Sequence, residues 1–322
     1  MLQYRTFQNT DPPILASIWR SRSDQPGLLQ PVSVDTFEQF VFGKLYFDYE
    51  GLVLAFDDDR PVGFAHAGFG PTPQGDRLAT EQGVICVLMV RPDCACPTGE
   101  VAEGLLRESE AYLRRRGAKS VLGGAVQPVT PFYCGMYGGC TLPGVLESDA
   151  VARNLYQAHG YAEVSRTLLL SLDLSTFRAP IDRQQMQLRR KMLVEAKADA
   201  PVHSWWDACT IGDFELIQFD AVARGSSTVA ASAVFREMDP GGALRAGRTI
   251  GLLDLQVDPA QRRQGLGTFT LAEAFRQLAS QGVQTVQAQV AQQNTACLAL
   301  FRKLGFQETQ QAIVFRKEIN GQ

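Results

Sequence analysis

One succession of elements is legible twice along this chain, and that repetition constrains its architecture more than any single motif does. In the first pass, a strand-like 2–7 leads into helical patterns over 11–22 and 34–45. A hairpin follows, 52–56 and 62–69, about the turn Asp57-Asp58-Asp59-Arg60. The apolar run 84–90 ends at Arg91-Pro92 and suits a buried strand. A helix over 100–116 closed by Gly117, a strand 119–126, a helix 149–159 closed by Gly160 and a strand 161–172 complete the pass.

The second pass repeats the order without repeating the residues. A helix is expected over 183–198, then a hairpin, 214–223 and 228–236, about Arg224-Gly225-Ser226-Ser227. The apolar strand 250–257 ends at Asp258-Pro259, and helix 267–280 closes at Gly282. Strand 284–290, helix 294–304 closed by Gly305, and strand 306–317 follow. Pro180 interrupts the pattern in the linker 175–182, so the expected domains are 1–175 and 182–322. Strands alternating with helices imply an α/β fold. The hairpins opening each half make its sheet mixed rather than parallel.

At 322 residues two domains are also the expectation from length, each able to bury its own core. A net charge of −3 gives no electrostatic reason to expect nucleic acid or a membrane as partner. The basic runs Arg114-Arg115-Arg116 and Arg189-Arg190-Lys191 fall in helical patterns and read as solvated faces. No apolar stretch approaches the ~18 residues that span a bilayer. The N-terminal MLQYRTFQNT lacks a charged segment before an apolar one, so the expected location is cytoplasmic. The seven cysteines read as reduced, mostly buried thiols. With only three histidines, a zinc site would depend on thiolates, and no metal is expected.

The strongest chemical signal is the junction Val257-Asp258-Pro259-Ala260-Gln261-Arg262-Arg263-Gln264-Gly265-Leu266-Gly267. An apolar strand runs into a loop rich in Arg and Gly, and a long helix begins. A helix start leaves backbone N–H groups unpaired, and its dipole favours an anion. Gly265 and Gly267 let the backbone approach a bulky anion, and Arg262 and Arg263 add cationic charge. The junction is suited to cradle a pyrophosphate.

This segment resembles the Arg/Gln-x-x-Gly-x-Gly/Ala signature of the GNAT superfamily of acyltransferases. Asn294-Thr295-Ala296-Cys297-Leu298-Ala299-Leu300-Phe301-Arg302-Lys303-Leu304-Gly305-Phe306 is similar to that family's second signature, an Asn-capped helix ending in a Gly-aromatic step. A tandem pair with one degenerate half also resembles the mycothiol synthase type in architecture, not in substrate. The resemblance implies two tandem GNAT-like acyl-CoA N-acyltransferase domains, with acetyl-CoA on the second. It implies pyrophosphate binding by backbone amides from Arg263 through Gln264, Gly265, Leu266, Gly267 and Thr268, assisted by Arg262. Leu255 and Val257 would pair with the pantetheine arm, and the Leu255 N–H would stabilise the oxyanion. Asn294 would contact the cofactor or simply cap its helix.

The proton-transfer machinery departs from the family pattern. The tyrosine often found on the last helix is replaced by Phe301, which would still line the cofactor site. Glu or His expected at strand positions 251 or 253 is replaced by Gly251 and Leu253, leaving Asp254 as the candidate base. Glu215, Tyr133 and Tyr137 are further acid–base candidates. Trp205-Trp206 would line a substrate cleft or, as the stronger expectation, pack internally. In the first half the corresponding loop, Asp93-Cys94-Ala95-Cys96-Pro97-Thr98-Gly99-Glu100, lacks the Arg and paired glycines. Pro97 removes a donor and Glu100 adds negative charge, so that half reads as a pseudo-enzyme domain without CoA. Its loop 132–144 interleaves aromatics with glycines, and Asp149 reads as a helix cap.

The expected function is direct acetyl transfer from acetyl-CoA to the amine of a small molecule or a peptide N-terminus, in a ternary complex. One rival is a non-catalytic acyl-CoA-binding or regulatory protein. Another is an aminoacyl transferase of the peptidoglycan-bridge type, which has no use for the Arg262/Gly265/Gly267 cradle.

Overall fold

The computed structural model describes residues 1–198, 200–202, 204–238 and 247–319. Two compact units divide the chain. Unit 1 comprises Met1–Thr167, His203–Asp213 and Gln311–Gln322; unit 2 comprises Leu168–Val202 and Phe214–Gln310.

The chain opens with β1 (Leu2–Thr6), α1 (Pro12–Arg20), α2 (Val34–Phe37), β2 (Leu52–Asp57), β3 (Arg60–Pro71) and β4 (Leu78–Val90). Then follow α3 (Thr98–Arg115), β5 (Ser120–Gly123), β6 (Val145–Leu146), α4 (Ala150–Ala158) and β7 (Ala162–Asp173). The unit 1 sheet runs β1-β2-β3-β4-β5, antiparallel except for the parallel β4–β5 pair. On one face, α3 sets Val101, Leu105 and Leu113 against Val62, Ile85 and Val90. The other face is apolar as well: Leu54, Phe64 and Met89 are buried, and Phe37 of α2 meets Phe64 edge-on at 6.4 Å.

The remaining elements are α5 (Arg183–Lys191), β8 (Met192–Ala198), α6 (Trp205–Ile211), β9 (Leu216–Ala223), β10 (Val229–Glu237) and β11 (Arg248–Val257). Last come α7 (Leu266–Ser280), β12 (Val283–Ala291), α8 (Thr295–Leu304) and β13 (Gln307–Glu318). The unit 2 sheet runs β7-β12-β11-β10-β9-β8, with β11 and β12 parallel. Its core packs Leu271, Phe275 and Leu278 of α7 and Phe301 of α8 on Phe219, Phe235, Ile250 and Leu252. Each such side chain stabilises the fold by ~1.5–3 kcal/mol.

Two expectations need correction. The helix over 183–198 ends at Lys191, and 192–198 is strand β8, antiparallel to β9. Met192 and Val194 alternate onto the core there, and sheet pairing overrides helix propensity. Trp205-Trp206 opens a helix, α6, capped by Ser204, whose hydroxyl accepts from the Asp207 N–H at 3.0 Å. The compact units also cut the chain differently from 1–175 and 182–322. The boundary falls within β7, and β13 returns to unit 1 to pair with β5, Phe315 opposite Gly123. Strands go where a sheet edge offers backbone partners, not where sequence order would leave them.

Among the described residues no helix is long and apolar enough to cross a membrane. Cys86, Cys134 and Cys140 are buried, whereas Cys94, Cys96, Cys209 and Cys297 are partly exposed. The runs 114–116 and 189–191 are exposed, as solvated helix faces require.

Candidate functional site

The repetition reaches the register of the strands. In β11, Val234 faces Asp254 but Phe235 faces Leu252, so Leu253 is an extra, bulged residue. Parallel pairing between β11 and β12 stops at the same point, with Leu252 opposite Ala288. In β4, His66 faces Val87 and Ala67 faces Ile85, so Cys86 is the bulged residue, and pairing with β5 stops at Ile85 opposite Gly123. Each bulge sits the same distance before its Arg-Pro or Asp-Pro step. Each opens a gap between two neighbouring parallel strands.

In unit 2 the gap exposes a backbone edge. The Asp258 N–H donates to the Ala230 carbonyl at 2.9 Å, so by alternation Asp254 and Gln256 turn their amides toward β10. Leu255 and Val257 turn theirs to the open side, where no strand among the described residues pairs with them. The Val257 carbonyl accepts from Arg262 Nε at 3.1 Å, which folds the loop back on the strand end. Asp258 steadies the turn by accepting from the Ala260 N–H at 3.0 Å and Gln261 Nε2 at 3.2 Å.

The start of α7 lies beside this edge. Gly265, at φ 76°, is its N-cap, with no side-chain cap. The first-turn amides of Leu266, Gly267 and Thr268 have no intrahelical acceptor by helix geometry. Arg263 also adopts a left-handed conformation, φ 63°, and 262–264 are exposed. A Cβ on Gly265 would stand 2.9 Å from both the Gln184 carboxamide and Gln185 Nε2. A side chain at 265 would therefore press on α5 as well as strain the left-handed backbone, which is why glycine stands there. Gly267 sits close over the strand: its Cβ position is 3.7 Å from Leu255, 3.6 Å from Val257 and 3.5 Å from Leu300.

The other expected residues are placed as follows. Asn294 caps α8, accepting from the Cys297 N–H at 3.1 Å. Phe301 is 3% exposed, its ring 4.8 Å from that of Phe306, so it is a core residue here. Asp254 is exposed on the sheet face away from α7 and accepts from Gln256 Nε2 at 2.7 Å. Glu215 is exposed at the start of the β9 segment.

Sequence reading missed the contribution of α5. Asp182 caps it, accepting from the Gln185 N–H at 2.8 Å, and Gln185, almost fully buried, donates to the Gly265 carbonyl at 3.1 Å. No short-range signal joins Gln185 to Gly265; only the fold brings them together.

In unit 1 the corresponding gap is filled by the chain itself. The segment after Gly124 folds back, with Gly144 N–H on the Ala125 carbonyl at 2.8 Å and Leu146 N–H on the Tyr137 hydroxyl at 2.9 Å. What remains is a cavity of about 10 Å³ between Cys86, Tyr137, Val145 and Tyr156. Tyr156 follows the cap Asp149 by the interval that separates Phe301 from Asn294. That spacing was the signal that the tyrosine absent from α8 is present in α4. Asp149 caps α4, its carboxylate facing the Ala152 N–H. Burial pushes the hydroxyls of Tyr133, Tyr137 and Tyr156 upward in pKa and the Cys86 thiol up to about 12. Trp206 is buried against Tyr46, as packing would have it, and also borders an open cavity of about 750 Å³ in unit 1.

Residues 184–306 match the model of the acetyltransferase (GNAT) family. Over 57 residues the chain is 40% identical to a ribosomal protein bS18-alanine N-acetyltransferase of Escherichia coli (strain K12), covering 18% of this chain and 38% of that protein. The chain thus spans well under half the length of that curated relative. Among solved structures, a tandem GNAT protein from the clavulanic acid biosynthesis pathway superposes with a TM-score of 0.71 at 12% identity, covering 100% of both chains. A GCN5-related glucosamine N-acetyltransferase region of a fungal multi-domain GH3 β-N-acetylglucosaminidase gives a TM-score of 0.71 at 17% identity, covering 98% of this chain and 38% of that one. These neighbours establish the fold, a mixed α/β GNAT fold in tandem.

Proposed function

We propose, for a chain whose residues 184–306 match the GNAT acetyltransferases and which carries that fold twice, that unit 2 transfers an acetyl group from acetyl-CoA to an amine. The observation that carries this reading is the open backbone edge of β11 lying beside the uncapped, glycine-gated start of α7. Amides from Arg263 through Thr268 hold the diphosphate, and Leu255 and Val257 pair with the pantetheine arm as an added strand would. The Leu255 N–H donates to the thioester oxygen as negative charge develops there.

The amine nitrogen attacks the acetyl carbon, the C–N bond forms and the C–S bond breaks. The ammonium form must first shed a proton, and Asp254 is the candidate to receive it. The amine's second proton ends on the departing thiolate through solvent, giving an amide and free CoA. Unit 1 binds no acyl-CoA, because Tyr137 and Val145 fill its slot and Glu100 and Pro97 spoil its anion site. The acceptor belongs to the amines, whether of a protein, as for the bacterial relative, or of a sugar, as for the fungal neighbour.

Calorimetry of acetyl-CoA with the full chain tests the reading. Gly265→Glu is expected to abolish binding with the circular dichroism spectrum unchanged; unaltered affinity would remove the cradle. The burial of Phe301 where a proton donor would stand favours a second reading, a non-catalytic acyl-CoA-binding protein. Thiol release over an amine panel separates the two, since binding with no turnover on any amine supports the second.

A further inference from the structure

The two units share a fold and a strand register, so each position on one sheet has a counterpart on the other. On the face away from α3, unit 1 aligns Leu54, Phe64 and Met89 across β2, β3 and β4. All three are buried. At the counterpart positions across β9, β10 and β11, unit 2 aligns Asp220, Ser232 and Gln256. The neighbouring row is Leu52, His66 and Val87 in unit 1 but Gln218, Val234 and Asp254 in unit 2. One unit made this face apolar and covered it with helices. The other made it polar but for Val234 and left Asp254 and Gln256 exposed.

The polar row is wired together. The Asp220 carboxylate, 1% exposed, accepts from Lys197 Nζ at 2.6 Å and Gln218 Nε2 at 2.7 Å, and pairs with the Ser232 hydroxyl. Lys197 itself is 54% exposed at the outer end. At the inner end, beside the bulged Leu253, Gln256 holds Asp254. The face carries the carboxylates of Glu195, Asp220 and Asp254 against the ammonium of Lys197. The Arg236 guanidinium is buried over the Phe214 ring. Strands lie about 4.8 Å apart, so the row from β8 to β11 spans ~14 Å, the length of a small molecule.

We infer that this face is the acceptor site, and that the acceptor is a small hydrophilic, cationic amine carrying further hydroxyl or amide groups rather than an apolar arylalkylamine. The inference rests on the acetyl-CoA reading, because the reacting carbonyl is what places the amine beside Asp254. Ser232, Gln218 and Gln256 supply neutral hydrogen-bonding groups to the acceptor's polar substituents. Asp254 meets its amine. An apolar ring laid on the same row would strip water from these groups without replacing their bonds, which disfavours it.

The test uses the full chain with acetyl-CoA, free thiol as readout, and two sets of acceptors: amino sugars, polyamines and dipeptides against phenethylamine and tryptamine. Two variants restore the residue unit 1 has at the same place, Gln256→Met and Gln218→Leu. Turnover favouring the hydrophilic set is expected, with the variants raising its KM about tenfold while the acetyl-CoA Kd stays unchanged. Preference for the arylalkylamines, or KM values within about twofold of wild type in both variants, overturns the inference. If wild type binds no acetyl-CoA, the cofactor reading is what has failed. Calorimetry of the same amines onto the CoA-free protein then reads the face directly: hydrophilic amines that bind and are weakened by Gln256→Met sustain it, and no binding sinks it.

Discussion

His66 sits wholly inside unit 1, its Nδ1 3.1 Å from the Tyr133 hydroxyl and its ring against Phe47 and Phe132. With no acid beside it, burial alone lowers its pKa from 6.5 to about 3. The unfolded chain binds a proton as pH falls through about 6.5, whereas the folded chain resists until about 3. Stability is therefore lost across that window, by ~1.4 kcal/mol per pH unit at most. Urea midpoints at pH 7 and pH 5 are expected to differ more for wild type than for His66→Gln, which has no ring to protonate. Equal pH dependence would mean that His66 finds a proton acceptor in the fold.

At the scale of elements, the helix α5 lies outside the two short signatures read in the sequence. By holding the Gly265 carbonyl, Gln185 fixes the left-handed cap from which the first amides of α7 project. Gln185→Leu keeps the volume and removes the donor. It is expected to weaken acetyl-CoA about five- to tenfold by calorimetry, the worth of one hydrogen bond, while α5 stays folded. An unchanged Kd would show that Gly265 holds its conformation unaided. The elements themselves were largely legible. Helices announced by Asp149, Asn294 and closing glycines stand where expected, because caps and left-handed stops are local chemistry. The strand β8 was not legible, since one of its sides is exposed and polar and only its pairing with β9 makes it a strand. Nor were the bulges at Cys86 and Leu253, or the meeting of Gln185 with Gly265, because register and long-range contact leave no trace in spacing. The glycine cradle was legible for the opposite reason: it is built from consecutive residues.

At the scale of the molecule, the two units share a fold but differ at the slot. Unit 1 carries Tyr156 on α4 and has its slot closed; unit 2 has the glycine-rich start of α7 and sets Phe301 in its core. The filled slot predicts a stoichiometry of one acetyl-CoA per chain, and a calorimetric value of two would show that the segment 124–146 swings aside. The path of β13 bears on how such a chain is made. The edge of β5 waits for residues that include Phe315 and Arg316. On a ribosome adding roughly 5–20 residues per second, everything between Gly123 and that strand takes on the order of ten to forty seconds to emerge. Throughout that interval the amino-terminal unit carries a bare strand margin in a crowded cell. Premature termination would leave that margin permanently unsealed, a template for clumping with its own kind.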